Sequence, residues 1–502
     1  MLLIGLDIGT SGCKASIFDE TGRLIASARR EYPVDIPRPS WVEQDAEQVW
    51  SLAKEAMREA SAMAGDPAEI RALGLSVQGE AVIPVDRSGR ALRPAILGMD
   101  TRTVEQNNWL EERFGNQRLF QRTGMPIHTI NTLPKLLWLK QHEPEIWKSA
   151  WRFLLYEDFL IYKMTGQPAI SRCLASRTQL YDLNRDGWSE EILAALELEP
   201  SRLATVFPSG TVIGVMSTVL AKELGLPNPP LVATGGHDQA CGSLGVGLTR
   251  PGLSMVSTGT AEVVEVALGT PTLTPELFAG NISCYAHVIP GLYLAMALNH
   301  SGGLVLRWFR DTFCQDEAAR AQASGEDAYD LIFRDASTIP SPVLLLPHFS
   351  GSGTPTFDTL SKGALVGLTF GTTRADVARA ILEGLTFELR YNLEVLQAGG
   401  VKIDQLRAIG GGAKSELWLQ LKADITGLPV AVPRVTEAAS WGAAALAGTA
   451  AGCFASQGQA VEDSLQFDRI FEPYPQRSEI YTQRYALYRK IYPALAEINH
   501  LM

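Results

Sequence analysis

The chain has 502 residues, 46% of them apolar and 20% charged, with a formal net charge of −11. That length exceeds one hydrophobic core and allows roughly two to four domains. The acidic balance argues against a nucleic-acid partner, because no basic field offsets phosphate repulsion. Residues 2–8, 14–19 and 24–32 read as three strands, with Thr21-Gly22 turning the chain between the last two. Trp41-Val42-Glu43-Gln44-Asp45 leads into a helical pattern through Met63, with Asp45 as N-cap. Strands follow at Ala72–Val77 and Val82–Val85, the second ending in a Ser88-Gly89 turn, and helical patterns run over 103–114, 132–142 and 156–164.

The strand Leu231–Thr234 enters Gly235-Gly236-His237-Asp238-Gln239 and a small-residue helix through Gly245. The order of strands and helix then restarts, with strands at Leu253–Ser257, Val263–Ala267 and Tyr293–Asn299 and a helix from near Gly302. An amphipathic helix over Ile381–Leu396, a strand at Arg407–Ile409 and a helix at Ser415–Thr426 complete the pattern. The repeated order predicts two similar α/β domains, 1–246 and 247–502, with a ligand cleft between them. Tyr481, Tyr485, Tyr488 and Tyr492 follow 4-3-4 spacing and read as one packed helix face.

Six scattered cysteines without a Cys-x-x-Cys pair read as free thiols of a reducing compartment. The apolar N-terminal segment carries Asp7 and no basic lead, so it reads as a strand and not as a secretory signal. No apolar run approaches the ~18–20 residues of a membrane span. A cytoplasmic protein without membrane contact is the expectation.

Two turns half a chain apart echo each other: Gly5-Leu6-Asp7-Ile8-Gly9-Thr10-Ser11 and Val256-Ser257-Thr258-Gly259-Thr260. Each leaves a buried-type strand through small and hydroxyl residues, whose N–H and O–H groups suit a phosphate. Together they suggest a nucleotide gripped from both sides. There is no Gly-x-x-x-x-Gly-Lys-Ser/Thr segment, which argues against a P-loop kinase. Asp7, followed by Gly9-Thr10-Ser11-Gly12 with Lys14 on the returning strand, can hold Mg²⁺, or can simply cap the turn. Asp238, after a strand and two glycines, can accept the proton of an attacking hydroxyl or can be an ordinary helix cap. His237 beside it reads as a polar cleft wall. Gly410-Gly411-Gly412-Ala413-Lys414-Ser415 follows a strand and opens a helix, as a bed for a base or ribose or as a plain glycine turn. Gln78-Gly79-Glu80 and Asp100-Thr101-Arg102 offer strand-end polar groups to a polyhydroxylated ligand, with a surface salt bridge as the alternative.

These residues resemble the FGGY family of carbohydrate kinases, in the actin-like ATPase superfamily. The sharpest match is Gly363-x-Leu365-x-Gly367-Leu368, seven residues, then Asp376-Val377-x-x-Ala380-Ile381-Leu382-Glu383, which fits the family's second signature throughout. A first signature is matched by Thr132-x-x-Lys135-Leu136-x-Trp138-Leu139-x-Gln141-His142, from which Ile130 departs. Similar stretches span nearly the whole chain. The resemblance implies two ribonuclease-H-like domains closing on ATP, Mg²⁺ and a small ketose, polyol or sugar acid. By position, Asp238 becomes the general base and Asp7 the metal anchor. Thr10, Ser11 and Lys14 fall on the first phosphate turn, and Thr258, Gly259 and Thr260 on the second. Gly411, Gly412 and Ser415 fall on the adenosine segment. Gln78, Gly79, Glu80, Asp100 and Arg102 face the substrate, together with Asp238 and Gln239. A homodimer is compatible with this reading.

The departures lie at the substrate. Xylulokinases typically present Met-His-Gly where this chain has Gln78-Gly79-Glu80, and glycerol kinases present Gln-Arg-Glu. Ser352-Gly353 replaces a Glu-Arg pair common in xylulokinases. Two rivals share the turns: an actin-like ATPase acting as chaperone or filament protein, and a sugar-binding regulator without turnover.

Overall fold

A computed structural model describes residues 1–334 and 340–502. It contains two seven-stranded sheets, one from each half of the chain. In the first, Leu2–Ile8 lies between its antiparallel hairpin partner Gly12–Asp19 and the parallel strand Ile70–Val77. In the second, Leu253–Thr258 lies between the antiparallel Glu262–Leu268 and the parallel Gln405–Gly410. The two arrangements match, so the predicted echo is one of topology as well as of sequence. Both central strands are buried on both faces, which is why they read as continuous apolar runs.

One element ties the halves together. The helix Ala438–Ala450, in which nine of 13 residues are alanine or glycine, is buried over most of its length. It lies across the first sheet and beside the helix Asp238–Gly245. A Cβ on Gly5 would stand 1.8 Å from the Ser440 carbonyl oxygen, and one on Gly74 would stand 2.0 Å from that of Ala443. A Cβ on Gly245 would likewise meet the Ala438 oxygen at 2.0 Å. Glycine on the sheet and small residues on the helix let two backbones approach to a distance that no side chain permits. A segment of the second half therefore completes the layer covering the first sheet.

The tyrosine stripe corrects the sequence reading. Tyr481, Tyr485 and Tyr488 are buried on the helix Pro475–Tyr488, whereas Tyr492 belongs to a separate helix, Ile491–Leu501. Pro493 explains the break: it has no N–H, and its ring would clash with the Arg489 carbonyl in a continuous helix. The long amphipathic helix runs over Arg374–Ala398, and begins earlier than its apolar period suggests because Thr373 and Asp376 form a capping box. All six cysteines are free thiols. No helix among the described residues is long and apolar enough to cross a membrane.

Candidate active site

The first turn is braced from behind. Gly9 N donates to Gly12 O at 3.0 Å, closing it. Its outward carbonyls are tied back, Gly9 O by Tyr32 Oη at 2.7 Å and Thr10 O by Gln44 Nε2 at 2.8 Å. The N–H groups of Thr10 and Ser11 have no acceptor among the described residues, and Ser11 is exposed. Such a turn presents donors and conceals acceptors, as an anion requires. Asp7 sits at its base, where Ser76 Oγ donates to its Oδ1 at 2.6 Å. Burial raises the Asp7 pKa above the usual carboxylate range, against the lowering effects of the Ser76 bond and of Lys14.

Two residues assigned from sequence to ligand contact have other partners. Lys14 Nζ grips both oxygens of Glu437, at 2.7 and 2.8 Å, immediately before the alanine helix. It is an inter-half tether in this structure. Gln78 is buried and serves the turn: its Nε2 donates to Gln44 Oε1 at 2.9 Å and to Gly9 O at 3.3 Å, and its Oε1 faces the Thr10 hydroxyl at 3.4 Å. Tyr156 Oη completes this network by donating to Gln44 Oε1 at 2.6 Å.

The second turn is built differently. Thr258 is buried, donates to Glu262 Oε2 at 2.7 Å and accepts from Lys422 Nζ at 3.0 Å. Lys422 and Glu262 are themselves a buried ion pair. The Thr258 hydroxyl thus holds the hairpin together and is not offered to a ligand. Gly259 and Thr260 are exposed, and nothing lies within 4 Å of a Cβ placed on Gly259. The glycine triplet packs behind this turn: a Cβ on Gly412 would stand 2.8 Å from Thr258 Cβ, while Gly411 is open and exposed. The triplet forms a 3₁₀ turn over Gly411–Lys414 and does not open the helix directly. Ser415 caps the helix Glu416–Thr426 through Trp418 N at 3.3 Å, so its hydroxyl also has a local task.

Asp238 is brought to Asp7 by sheet register. Gly236 and His237 pair with Ser76 and Val77, and Ser76 is the residue that bonds Asp7. Asp238 then opens the helix Asp238–Gly245, with Gln239 N donating to its Oδ1 at 2.6 Å. His237, not Asp238, occupies the cap position. The Asp238 pKa is raised to about 8, by burial first and then by the charge of Asp7, with Glu80 and Glu265 adding. His237 is held neutral by burial, with Nε2 3.3 Å from Asp238 Oδ1 and Nδ1 buried without a partner among the described residues. Gln239 beside them is half-buried.

On the acceptor side, a Cβ on Gly79 would stand 2.8 Å from the His237 ring. Glu80 is buried and paired with Arg177. Asp100 and Arg102 depart from the sequence reading. Asp100 is wholly buried and accepts from Val42 N at 2.6 Å, while Arg102 bonds it and stacks between Trp41 and Trp138, at 3.8 and 4.8 Å. The pair is a salt bridge, as the alternative reading had it, but an interior one that braces the Trp41 loop and commits the Asp100 carboxylate.

Sequence reasoning missed Arg177, Tyr285, Glu265, Glu262 and Lys422. The signal for the two glutamates was available, since Glu262-Val263-Val264-Glu265-Val266 places charges in a strand that is otherwise apolar. Buried charges on such a strand require partners.

Among the described residues no group of three or more His, Cys, Asp or Glu side chains is poised to hold a metal. Asp7 and Asp238 are two carboxylates whose charges oppose each other without a cation. That donor set fits Mg²⁺, which takes one or two carboxylates and completes its shell with water and phosphate oxygens.

The profile of the FGGY carbohydrate kinase N-terminal domain matches residues 2–245, and that of the C-terminal domain matches 254–451. The chain belongs to the FGGY family of carbohydrate kinases. It is therefore a phosphotransferase acting on an alcohol group, and carbohydrate kinases use ATP as donor. The chain is 31% identical to a xylulose kinase of Staphylococcus epidermidis over 504 residues, covering 99% of this chain and 98% of that one. It is also 31% identical to an autoinducer-2 kinase of Escherichia coli over 506 residues, covering 98% and 94%. The crystal structure of a xyloylose kinase from Brucella ovis superimposes with a TM-score of 0.89 at 30% identity, covering 99% of this chain and all of that one. The fold is that of the actin-like ATPases, with the two sheet-containing domains expected from the sequence.

Proposed function

We propose that this kinase transfers the γ-phosphoryl group of ATP to a hydroxyl of a small ketose, polyol or sugar acid, with Asp238 as the base that orients and deprotonates that hydroxyl. The observation that carries this is the register of Gly236-His237 on Ser76-Val77, which sets Asp238 beside Asp7 at the first turn. Its raised pKa suits a base that must give up its proton when the cation and nucleotide arrive. The free N–H groups of Thr10 and Ser11 and the open Gly259–Thr260 turn would hold phosphate oxygens, and exposed Gly411 would lie against the adenosine. Asp7 is the residue that would anchor Mg²⁺, which supplies charge neutralisation at the β- and γ-phosphates when bound. We place the domain division near residue 246, with the alanine helix returning to the first domain. Six free thiols support a reducing, cytoplasmic setting.

The test is ADP release from ATP-Mg²⁺ with a panel of sugars and polyols. Release should depend on the acceptor, and Asp238→Asn should lower kcat by ~10²–10⁴-fold with ATP binding largely kept. Acceptor-independent release, or a variant with near-normal turnover, would refute the assignment.

A further inference from the structure

The acceptor side holds a buried ion pair with no assigned role. Glu80 joins the strands Ile70–Val77 and Ile83–Val85 at φ 60, a left-handed backbone that a glutamate adopts only when its surroundings impose it. Its carbonyl accepts from Lys135 Nζ at 3.0 Å and from the Thr132 hydroxyl at 3.3 Å. Its Oε1 accepts from Arg177 Nε at 2.7 Å and pairs with Nη2 as well. Arg177 is 2% exposed and stacks on the Tyr285 ring at 4.6 Å. Tyr285 in turn bonds Glu265, whose other oxygen accepts from Ser243 at 2.6 Å, on the helix that Asp238 opens. Only one oxygen of the Glu80 carboxylate is held in this way. The other, Oε2, accepts no hydrogen bond among the described residues, and it is not sealed off as a buried unpaired atom. Gly98 leaves space beside it: a Cβ there would stand 3.7 Å from Oε2.

We propose that Arg177 is a positioning residue that holds Glu80 with one carboxylate oxygen free for an acceptor hydroxyl, and that this pair selects a neutral polyol or ketose over a sugar acid. The inference rests on the acceptor side described above and narrows it. A hydroxyl donates to a bare carboxylate oxygen, forming a charge-assisted bond. A sugar acid would bring its own carboxylate against the unpaired Oε2 of Glu80, setting like charge beside like charge. The cations nearby are committed: Arg177 to Glu80, Lys135 to two backbone carbonyls, and Lys14 to Glu437. Among the described residues, none of these three is free to answer a second carboxylate.

Steady-state kinetics with ATP-Mg²⁺ and D-xylulose, glycerol or D-gluconate test this on the wild type, Arg177→Met and the Glu80→Gln/Arg177→Met double variant. The double variant removes both charges, so it avoids leaving one of them buried and unpaired. The wild type should show kcat/KM at least ~100-fold higher for its better neutral acceptor than for D-gluconate. The double variant should raise the KM of that acceptor ~10–100-fold and narrow the preference, with ATP KM within about twofold. Arg177→Met alone should show the same acceptor-specific rise. A wild type that favours D-gluconate overturns the inference. So does a double variant with unchanged acceptor KM and preference, or one whose ATP KM rises in step. Transfer to none of the three by the wild type sinks the acceptor reading itself, and this inference with it.

Discussion

Replacing Asp238 by Asn should make the protein a poorer enzyme and a more stable one, by an amount that grows with pH. The folded carboxyl keeps its proton to about pH 8, whereas its unfolded value is 3.8. Between these limits the folded state binds more protons than the unfolded state, so this group makes wild-type stability fall as pH rises. Each pH unit inside the window contributes at most ~1.4 kcal/mol, hence ~4 kcal/mol between pH 5 and 8. The side chain is 30% exposed, and water screens part of the penalty, so about 2 kcal/mol is the working expectation. Asn cannot ionise and should escape the loss. The assay is denaturant unfolding of apo wild type and Asp238→Asn at pH 5, 6.5 and 8, read as the difference in stability at each pH. A small variant advantage at pH 5 that widens by about 2 kcal/mol at pH 8 is expected. A pH-independent difference, or a wild type that gains on the variant as pH rises, would refute the reasoning.

The same titration predicts that kcat/KM for ATP-Mg²⁺, which reports the nucleotide-free enzyme, declines as pH falls below about 8, with a limb that is absent from Asp238→Asn. Gly74→Ala should destabilise by roughly 2–3 kcal/mol or more, because its Cβ would meet the Ala443 carbonyl at 2.0 Å; Gly187→Ala, with open space around it, should be near neutral in the same unfolding assay. Lys14→Glu should lower the unfolding midpoint by setting two carboxylates together, and the exchange Lys14→Glu/Glu437→Lys should recover most of it if the residues act as a tether; a swap no better than the single variant would argue for a different role. Gly79→Ala, pressing on the His237 ring at 2.8 Å, should raise acceptor KM severalfold and leave ATP KM unmoved in initial-rate measurements.

The two glycine-hydroxyl turns, Asp7 and Asp238 were legible in the chain because their chemistry is local. A buried strand that ends in Gly-Thr-Ser or Thr-Gly-Thr must turn and expose its N–H groups wherever it lies, and the repeated order of strands and helix follows from periodicity alone. What could not be read was which polar groups those turns would consume. Thr258 and Ser415 looked like ligand contacts, yet one hydroxyl holds a hairpin and the other caps a helix. Lys14 lies 423 residues from Glu437, and Arg177 lies 97 from Glu80. No spacing rule connects residues so distant; they meet because the alanine helix lies on glycines of the first sheet and because the helix Arg172–Arg177 packs against the strand Gly236–His237. Local sequence therefore determined the kind of chemistry, namely phosphate-binding turns and a carboxylate base. Tertiary packing decided which side chains remain free to perform it, because a buried charge must find its partner wherever the fold brings one.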